Sequence, residues 1–254
     1  MKNLPSKVLL LDIETSPILA YVWQLFDQNI PLNMVKEDWS ILAWSAKWLD
    51  QPASKIMYAD QRNAKNINDD KQLLQGIWKL LDEARVVITQ NGVSFDLKKL
   101  NARFILNGMK PPSSFRNIDT KQLASRKFGF TSNKLEYMTN NLCKKYKKLK
   151  HKKFPGFELW TECLKGNKAA WKEMEAYNKY DVLSLEELYK KLAPWDSSID
   201  FAKMTDQPEN PVCSCGSKKF TKYGFRFTNT GKFQRLRCEE CGADYKTTKN
   251  LLKK

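Results

Sequence analysis

The chain has 254 residues, of which 42% are hydrophobic, so its composition excludes wholesale disorder and allows one domain of ordinary size plus a smaller one. It carries 44 lysines and arginines against 28 acidic residues, and the net charge of +16 favours a polyanionic partner, above all nucleic acid. No apolar run approaches the roughly 20 residues that cross a bilayer, and no signal-peptide pattern opens the chain. We therefore expect no membrane partner and a cytoplasmic location, where thiols stay reduced.

Strand and helix patterns alternate along residues 1–193, and we interpret this region as one α/β domain. Apolar or alternating runs predict five strands, at KVLLLDIE, WSILAWSAKWL, KIMYAD, RVVITQNG and the start of RNIDTKQLA. Helical periodicity predicts helices at DDKQLLQGIWKLLDEA, SFDLKKLNARFILNG, NKLEYMTNNLC and KAAWKEMEAYNKYDVLSLEELYKKLA. The last of these, residues 168–193, is the longest, and Pro194 ends it.

Two regions interrupt the alternating pattern. KKYKKLKHKK, residues 144–153, contains seven lysines, and it fits either a solvated loop or a loop that contacts phosphates. Residues 194–211 contain Pro208 and Pro211 among polar residues and are typical of a linker. We therefore expect a main domain at 1–193, a linker at 194–211 and a small cysteine-containing domain at 212–254.

Acidic side chains stand where strands end and helices begin. Asp12 and Glu14 finish the first strand, and a spacing of two places both on the same side of it. NGVSFD follows the fourth strand and brings Asp96 to the start of a helix. The long last helix carries Asp181, with Tyr177 one turn before it. Because open α/β sheets bind ligands at the carboxyl ends of their strands, we expect these side chains to converge.

Such a cluster needs a cation, because carboxylates that meet without one repel each other. Hard cations such as Mg²⁺ and Mn²⁺ prefer oxygen ligands. Two of them about 4 Å apart can flank a phosphodiester, one activating water and the other stabilising the leaving oxygen. Two Mg²⁺ or Mn²⁺ ions are therefore predicted, with the ligands Asp12, Glu14, Asp96 and Asp181.

Three motifs in this order resemble the DEDD superfamily of 3′–5′ exonucleases, which share an RNase H-like fold. DIE at 12–14 resembles the first motif, NGVSFD at 91–96 the second, and YNKYD at 177–181 the third in its tyrosine form. In the histidine branch, a histidine stands five residues before the last aspartate; here that residue is Ala176, and the one histidine, His151, is far upstream. The resemblance covers roughly residues 7–190 and implies an RNase H-like mixed five-stranded sheet flanked by helices.

The resemblance also implies what each residue does. Asp12 would bridge both metal ions, and Glu14 and Asp181 would complete the site that activates water. Asp96 would hold the second ion, partly through water. Tyr177 would orient the attacking water, because a phenol with a pKa near ~10 is a poor base at neutral pH. The motif IDT also resembles a family segment, but we interpret its Asp119 as a helix cap or turn residue.

CSCG at 213–216 and CEECG at 238–242 supply four thiols in two short turns. Four thiolates suit tetrahedral Zn²⁺, and a unit of about 40 residues needs such a staple because it buries little apolar surface. The pattern resembles a zinc ribbon with two strands around Asn229-Thr230-Gly231, although ribbons usually have CxxC where this chain has CxC. The predicted ligands of one structural Zn²⁺ are Cys213, Cys215, Cys238 and Cys241.

Aromatic and basic residues alternate between the two cysteine pairs. Strand alternation predicts Tyr223, Phe225 and Phe227 on one face of the ribbon, with Lys222 and Arg226 on the other. Such residues suit base stacking with phosphate contact, and they also suit a small core with a solvated rim. We predict nucleic-acid binding by the ribbon, with a protein partner as the alternative, through Lys222, Arg226, Phe233, Arg235 and Arg237.

The sequence thus predicts a metal-dependent exonuclease that removes nucleotides from the 3′ end of a single-stranded nucleic acid. DNA is the expected substrate, and RNA is possible. Two alternatives stay open. One is a structure-selective endonuclease on the same fold, and the other is a non-catalytic adaptor that binds nucleic acid.

Overall fold

A computed structural model describes residues 7–49, 51–196 and 212–252. Most of the linker predicted at 194–211 lies outside the described residues, so the linker and the domain boundaries stay a prediction. In the described ranges, no helix combines the length and the apolar character needed to cross a membrane.

A mixed five-stranded sheet forms the centre of the main domain, as predicted. The strands of this domain are β1 (Val8–Thr15), β2 (Leu19–Ala20), β3 (Val35–Glu37), β4 (Ile41–Trp48), β5 (Met57–Asp60), β6 (Val86–Thr89) and β7 (Arg116–Asp119). The order in the main sheet is β5-β4-β1-β6-β7, with β4 antiparallel to β1 and β5, and β6 parallel to β1 and β7. β2 and β3 form a separate two-stranded sheet that the sequence analysis did not predict.

Helices flank the sheet. They are α1 (Lys71–Glu83), α2 (Asp96–Leu106), α3 (Thr120–Lys127), α4 (Leu135–Leu142), α5 (Glu158–Leu164) and α6 (Lys168–Leu192). The short helix α5 was not predicted. α6 ends two residues before Pro194, which lacks the backbone N–H that would continue the helix.

The two faces of β1 pack against different helices. Leu9, Leu11 and Ile13 belong to a core that includes residues of α1 and α2. Leu10 belongs to a second core that includes Val182 and Leu185 of α6. Because side chains alternate along a strand, residues 12 and 14 lie on the α6 side with Leu10. The long helix therefore faces the two acidic residues at the end of β1.

The cysteine-containing region forms a three-stranded sheet. Its strands are β8 (Phe220–Thr228), β9 (Gly231–Cys238) and β10 (Asp244–Lys246), in the order β10-β9-β8. The hairpin of β8 and β9 turns at Thr228 and Gly231, as predicted, and β10 was not predicted. The predicted fold class, an RNase H-like sheet with a small ribbon, is confirmed.

Candidate active site

Asp12 and Glu14 lie at the carboxyl end of β1, where α6 crosses the sheet. The side chain of Asp12 accepts a hydrogen bond of 2.6 Å from Nδ2 of Asn178 on α6. Glu14 Oε2 accepts one of 3.2 Å from Nε1 of Trp160 on α5. Both acidic residues are only half-buried, so solvent reaches them. The end of β1 is therefore partly desolvated but not sealed from solvent.

α6 adds a third carboxylate to this pair. One oxygen from each of Asp12, Glu14 and Asp181 lies within 4.8 Å of the others, which is close enough for one cation to contact all three. Tyr177 is one helical turn before Asp181 and is also buried. Three of the four predicted carboxylates therefore meet, and the Tyr177 phenol is near enough for the charge of Asp181 to help raise its pKa.

Asp96 approaches the same region from α2 without joining the compact group of three. It is the first residue of that helix and is buried, and its Oδ1 accepts a hydrogen bond of 3.2 Å from the backbone N–H of Ile13. Its negative charge helps to raise the pKa of Asp12. Asp96 thus lies beside the site, in contact with the strand that carries Asp12 and Glu14.

A tight turn after β6 presents Asp96. Asn91 adopts the left-handed conformation, with φ of 68°, which Asn tolerates better than most residues. A Cβ added to Gly92 would overlap the side chain of Thr89, so glycine is required there. Asp119 fixes the turn by accepting hydrogen bonds of 2.9 Å from Asn91 N and 3.2 Å from Val93 N.

Asp119 also caps α3, accepting hydrogen bonds from the backbone N–H groups of Lys121 and Gln122. The interpretation of Asp119 as a helix cap is therefore confirmed. Its carboxylate is already occupied by backbone donors, and it supports the site by holding the turn that carries Asp96.

Burial and mutual repulsion disfavour the charged forms of the acidic residues. Burial, with the charge of Asp181, raises the pKa of Glu14 from 4.5 to about 8 and raises that of Asp12 well above its usual value. Burial also raises the pKa of Asp96 from 3.8 to about 7. A divalent cation would remove this penalty, because it replaces repulsion among the carboxylates by attraction to a common charge.

The lysine segment, residues 144–153, reaches into the site. The Glu187 carboxylate fixes its start, accepting hydrogen bonds of 2.7 Å from the backbone N–H groups of Lys144 and Tyr146. Lys148 then forms an ion pair of 2.6 Å with Asp181. Burial opposes the charge of Lys148, but Asp181 and Tyr177 outweigh burial and raise its pKa. Lys148 therefore lies against the candidate site, although no sequence motif predicted this.

His151 also belongs to the surroundings of the site, although it is far from the acidic motifs in sequence. Its ring centroid lies 5.2 Å from that of Tyr177 and 5.4 Å from that of Trp160, in edge contacts. Its Nδ1 lies 2.7 Å from the carbonyl oxygen of Phe154. Because a carbonyl can only accept, Nδ1 carries the proton, which fixes the ring orientation. His151 does not occupy the motif position of the histidine branch, which is Ala176, but it packs beside Tyr177 at the candidate site.

Asn178 is a further residue that the motifs did not single out. It is fully buried, and its amide donates to Asp12 while its own Oδ1 has no partner in the described part of the chain. Ser45, directly across from Asp12 on β4, likewise has a buried hydroxyl without a partner there. Asn178 therefore orients the Asp12 carboxylate through this hydrogen bond. Its place directly after Tyr177, inside the third motif, is the feature of the sequence that could have identified it.

The four predicted zinc ligands converge. The Sγ atoms of Cys213, Cys215, Cys238 and Cys241 all lie within 4.8 Å of one another. Cys213 Sγ and Cys241 Sγ are 3.3 Å apart, and Cys215 Sγ and Cys238 Sγ are 3.7 Å apart. These separations exceed a disulfide bond and approach the roughly 3.8 Å between thiolates on a tetrahedral Zn²⁺ with Zn–S bonds near 2.3 Å. The four thiols, including the closely spaced CxC pair, are therefore near enough to one another to bind a single Zn²⁺.

The faces of the ribbon differ from the predicted pattern. The register of β8 against β9 shifts between Lys222 and Phe225, around Gly224, whose φ is +59°. This bulge moves the later residues of β8 to the opposite face. Arg226 lies opposite Phe233, and Lys222 lies opposite the buried Leu236. The prediction that Lys222 and Arg226 share a face is therefore wrong, as is the grouping of Tyr223 with Phe225 and Phe227.

One face of the ribbon combines aromatic and cationic groups. The Arg235 guanidinium stacks 4.5 Å from the centroid of the Tyr223 ring, with that of Arg237 at 5.0 Å. Lys246 Nζ lies 3.7 Å from the centroid of Phe233. Arg235 also pairs with Asp244 at 2.9 Å, so part of its charge is already neutralised. Four of the five residues predicted to bind nucleic acid lie on this face: Arg226, Phe233, Arg235 and Arg237.

Glu14→Gln should stabilise the metal-free protein at alkaline pH. A carboxyl with a raised folded-state pKa holds its proton longer in the folded than in the unfolded state, so Glu14 costs stability as the pH rises from about 4.5 to about 8. Gln cannot ionise, yet it keeps an oxygen for Trp160. In EDTA near pH 8.5, we expect Glu14→Gln to have a higher Tm than the unmodified protein, by about 2–4 °C for each kcal/mol of repulsion that the substitution removes. Near pH 4 we expect no difference in Tm.

Glu158→Gln, at an exposed acidic residue of α5, is the matched control and should leave Tm unchanged at both pH values. Added Mn²⁺ should raise the Tm of the unmodified protein more than that of Glu14→Gln. If Glu14→Gln had a lower Tm than the unmodified protein at every pH, this would contradict repulsion between Glu14 and the neighbouring carboxylates.

Replacing Cys238 and Cys241 by Ser should remove the zinc. Two thiolates cannot complete a tetrahedral site, and a ribbon of this size folds with its metal. Atomic emission should find one zinc per chain in the unmodified protein and none in the double variant, with Cys143→Ser as a control that keeps it. A double variant that retains zinc would contradict the four-cysteine site.

Comparison with known proteins places the main domain in a family. The family model of the RNase H superfamily matches residues 44–193, which include Asp96, Tyr177 and Asp181 and leave Asp12 and Glu14 before the matched range. No protein with a curated description matches the chain.

Among solved structures, the family B DNA polymerase from the hyperthermophilic archaeon Pyrobaculum calidifontis is similar, with 19% sequence identity and a TM-score of 0.50. The match covers 75% of this chain and 25% of the polymerase chain, so this chain aligns with only a quarter of that protein. At this identity the likeness concerns the fold. The family match, by contrast, spans more than half of the sequence, and the chain belongs to the RNase H superfamily.

Proposed function

We propose that the protein is a metal-dependent 3′–5′ exonuclease that hydrolyses phosphodiester bonds at the end of a single-stranded nucleic acid. The observation that carries this proposal is the meeting of Asp12, Glu14 and Asp181, from one strand and one helix, with Asp96 beside them and Tyr177 on the same helix face. The resemblance of the three motifs to DEDD exonucleases supports it, and so does membership of the RNase H superfamily.

The carboxylates are suited to hold divalent cations. Asp12, Glu14 and Asp181 would contact a first Mg²⁺ or Mn²⁺, and Asp12 with Asp96 would hold a second. When bound, such ions supply an activated water and neutralise the charge of the leaving oxygen. Asn178 and Ile13 contribute by fixing the Asp12 and Asp96 carboxylates, through hydrogen bonds of 2.6 and 3.2 Å.

Tyr177 and Lys148 prepare the site for a phosphate and a water. Burial, together with Asp181, raises the pKa of Tyr177, so at neutral pH the phenol stays protonated and can orient a water but not remove its proton. Lys148 is the cation nearest to Asp181 and contacts the Tyr177 ring at 4.7 Å from its centroid. It would attract the scissile phosphate.

Basic surfaces would hold the rest of the strand. The other lysines of the segment 144–153 and the cationic face of the ribbon, with Arg226 and Arg237, match the charge of a polyanion. We propose single-stranded DNA as the substrate, with RNA as the alternative to be tested beside it.

A four-cysteine zinc site also fits the reducing cytoplasm, which is the location we propose.

Cleavage of end-labelled single-stranded DNA and RNA, with and without Mn²⁺, tests the proposal. We expect metal-dependent loss of nucleotides from the 3′ end, and loss of this activity in Asp12→Ala by a factor of about 10³ or more, because Asp12 belongs to both metal sites. Glu83→Ala, at an exposed acidic residue that ends α1 and pairs with Lys7 before the start of β1, is the control. Binding should persist in Asp12→Ala.

The same assay separates the alternatives. An exonuclease leaves a circular single strand intact, whereas cleavage of the circle would favour the endonuclease. Absence of cleavage on every strand, with any divalent ion and with binding retained, would favour the adaptor.

Tyr177→Phe should slow cleavage by about 10- to 100-fold while changing strand affinity less than threefold, because the hydroxyl acts on the water and not on the strand. The ring contacts with His151 and Trp160 are kept in this variant. Tyr180→Phe, one residue before Asp181, is the matched control. Equal rates for Tyr177→Phe and the unmodified protein would make the phenol structural.

A further inference from the structure

The connection between β1 and β4 exposes large apolar side chains. Trp23 is 91% exposed, Leu25 86%, Phe26 80% and Leu32 90%, and Tyr21 is 67% exposed. Single exposed apolar side chains are normal on a protein surface, but five large ones within twelve residues are not, and such a concentration makes this stretch a candidate binding surface. We call residues 21–32 the apolar segment.

The apolar segment also lacks positive charge. From Val8 to Val35 the sequence contains no lysine and no arginine, although the whole chain has 44 of them in 254 residues. The only charged residue between Tyr21 and Leu32 is Asp27. Phosphates bind to cations and backbone donors, so this segment is not built to hold a strand by its backbone. Its exposed side chains are mainly aromatic rings and leucines.

The connection that carries the apolar segment begins and ends at the same edge of the sheet as the carboxylates. It leaves β1 after Thr15 and reaches β4 at Ile41, and these two residues are paired across the antiparallel strands. Asp12 and Glu14 lie at that end of β1. β6 runs parallel to β1, so the turn that presents Asp96 follows β6 at this edge too. The connection that carries the apolar segment therefore starts and ends at the edge of the sheet where the acidic site lies.

We propose that the apolar segment is a stacking platform for the nucleobases of the single strand whose 3′ end occupies the acidic site, with Trp23 and Phe26 as its main rings. This inference rests on the proposed function and adds to it a binding surface for the nucleobases. Every nucleobase has an apolar face that stacks on an aromatic ring, without sequence preference and without need of a cation. In this proposal, lysines and arginines elsewhere bind the phosphates of the strand, and the cation-free apolar segment binds its bases.

Base-dependent binding tests the platform. The probe is a short fluorescent single-stranded DNA, compared with the same strand carrying abasic sites in place of the bases before its 3′ end. Affinity is measured by anisotropy in the Asp12→Ala background, where hydrolysis does not interfere. With the apolar segment intact, we expect the abasic strand to bind about tenfold more weakly, the effect of one or two lost stacks.

Trp23→Ala with Phe26→Ala should abolish this discrimination, so that both strands bind with the affinity of the abasic one. Ile105→Ala with Leu106→Ala removes two apolar side chains of α2 that are 76% and 67% exposed, and this matched control should keep the discrimination. Thermal unfolding checks that both double variants are folded. Retained discrimination in Trp23→Ala with Phe26→Ala would overturn the proposal.

Sedimentation of the protein without DNA tests the rival occupant, a second copy of the chain. Association that disappears in Trp23→Ala with Phe26→Ala would also overturn the platform, because the segment would then be an interface between copies. The binding assay needs no turnover, so it is independent of the nuclease assay. If the protein discriminates between the two strands but cleaves neither, the exonuclease proposal is wrong and the stacking platform is supported. If it cleaves DNA without discriminating between them, the platform is wrong and the exonuclease proposal is supported.

Discussion

Repulsion among four carboxylates at one edge of a sheet is the constraint on which the site depends. Asp12, Glu14 and Asp181 lie within contact distance of a common point, and Asp96 is close enough to raise the pKa of Asp12. Burial makes this worse, since it disfavours charge on every member. Gathering these groups costs stability, and the divalent cations that we propose for this site would turn the repulsion into binding.

The surrounding elements hold the carboxylates without neutralising all of them. Asn178 donates to Asp12, Trp160 to Glu14, and the backbone of Ile13 to Asp96, so each acid is oriented by a neutral donor. Lys148 alone, among the residues that the structure describes, pairs a full positive charge with the group, through Asp181. Neutral donors fix direction while leaving negative charge for a metal ion, which is the arrangement a metal site needs.

The parts of the fold that local pattern controls could be predicted from the sequence, and the parts that long-range packing controls could not. Apolar runs and helical periodicity predicted the five main strands and α6, and the strand period of two put Asp12 and Glu14 on one side. Lys148 and His151 were not predicted as site residues, because their lysine-rich sequence fits a solvated loop as well as a phosphate-contacting one. Docking of this segment onto Glu187 and Tyr177 brings the two residues to the candidate site. On the ribbon, one bulge at Gly224 reversed the faces that simple alternation predicted.

Anomalous scattering from crystals grown with Mn²⁺ and a short single strand would show directly whether the carboxylates bind metal ions at the end of the strand. We expect two Mn²⁺ peaks, one contacting Asp12, Glu14 and Asp181 and the other between Asp12 and Asp96, with the 3′-terminal phosphate touching both. Carboxylates that stay together with no Mn²⁺ among them, or a strand bound elsewhere with the acidic site empty, would contradict this expectation.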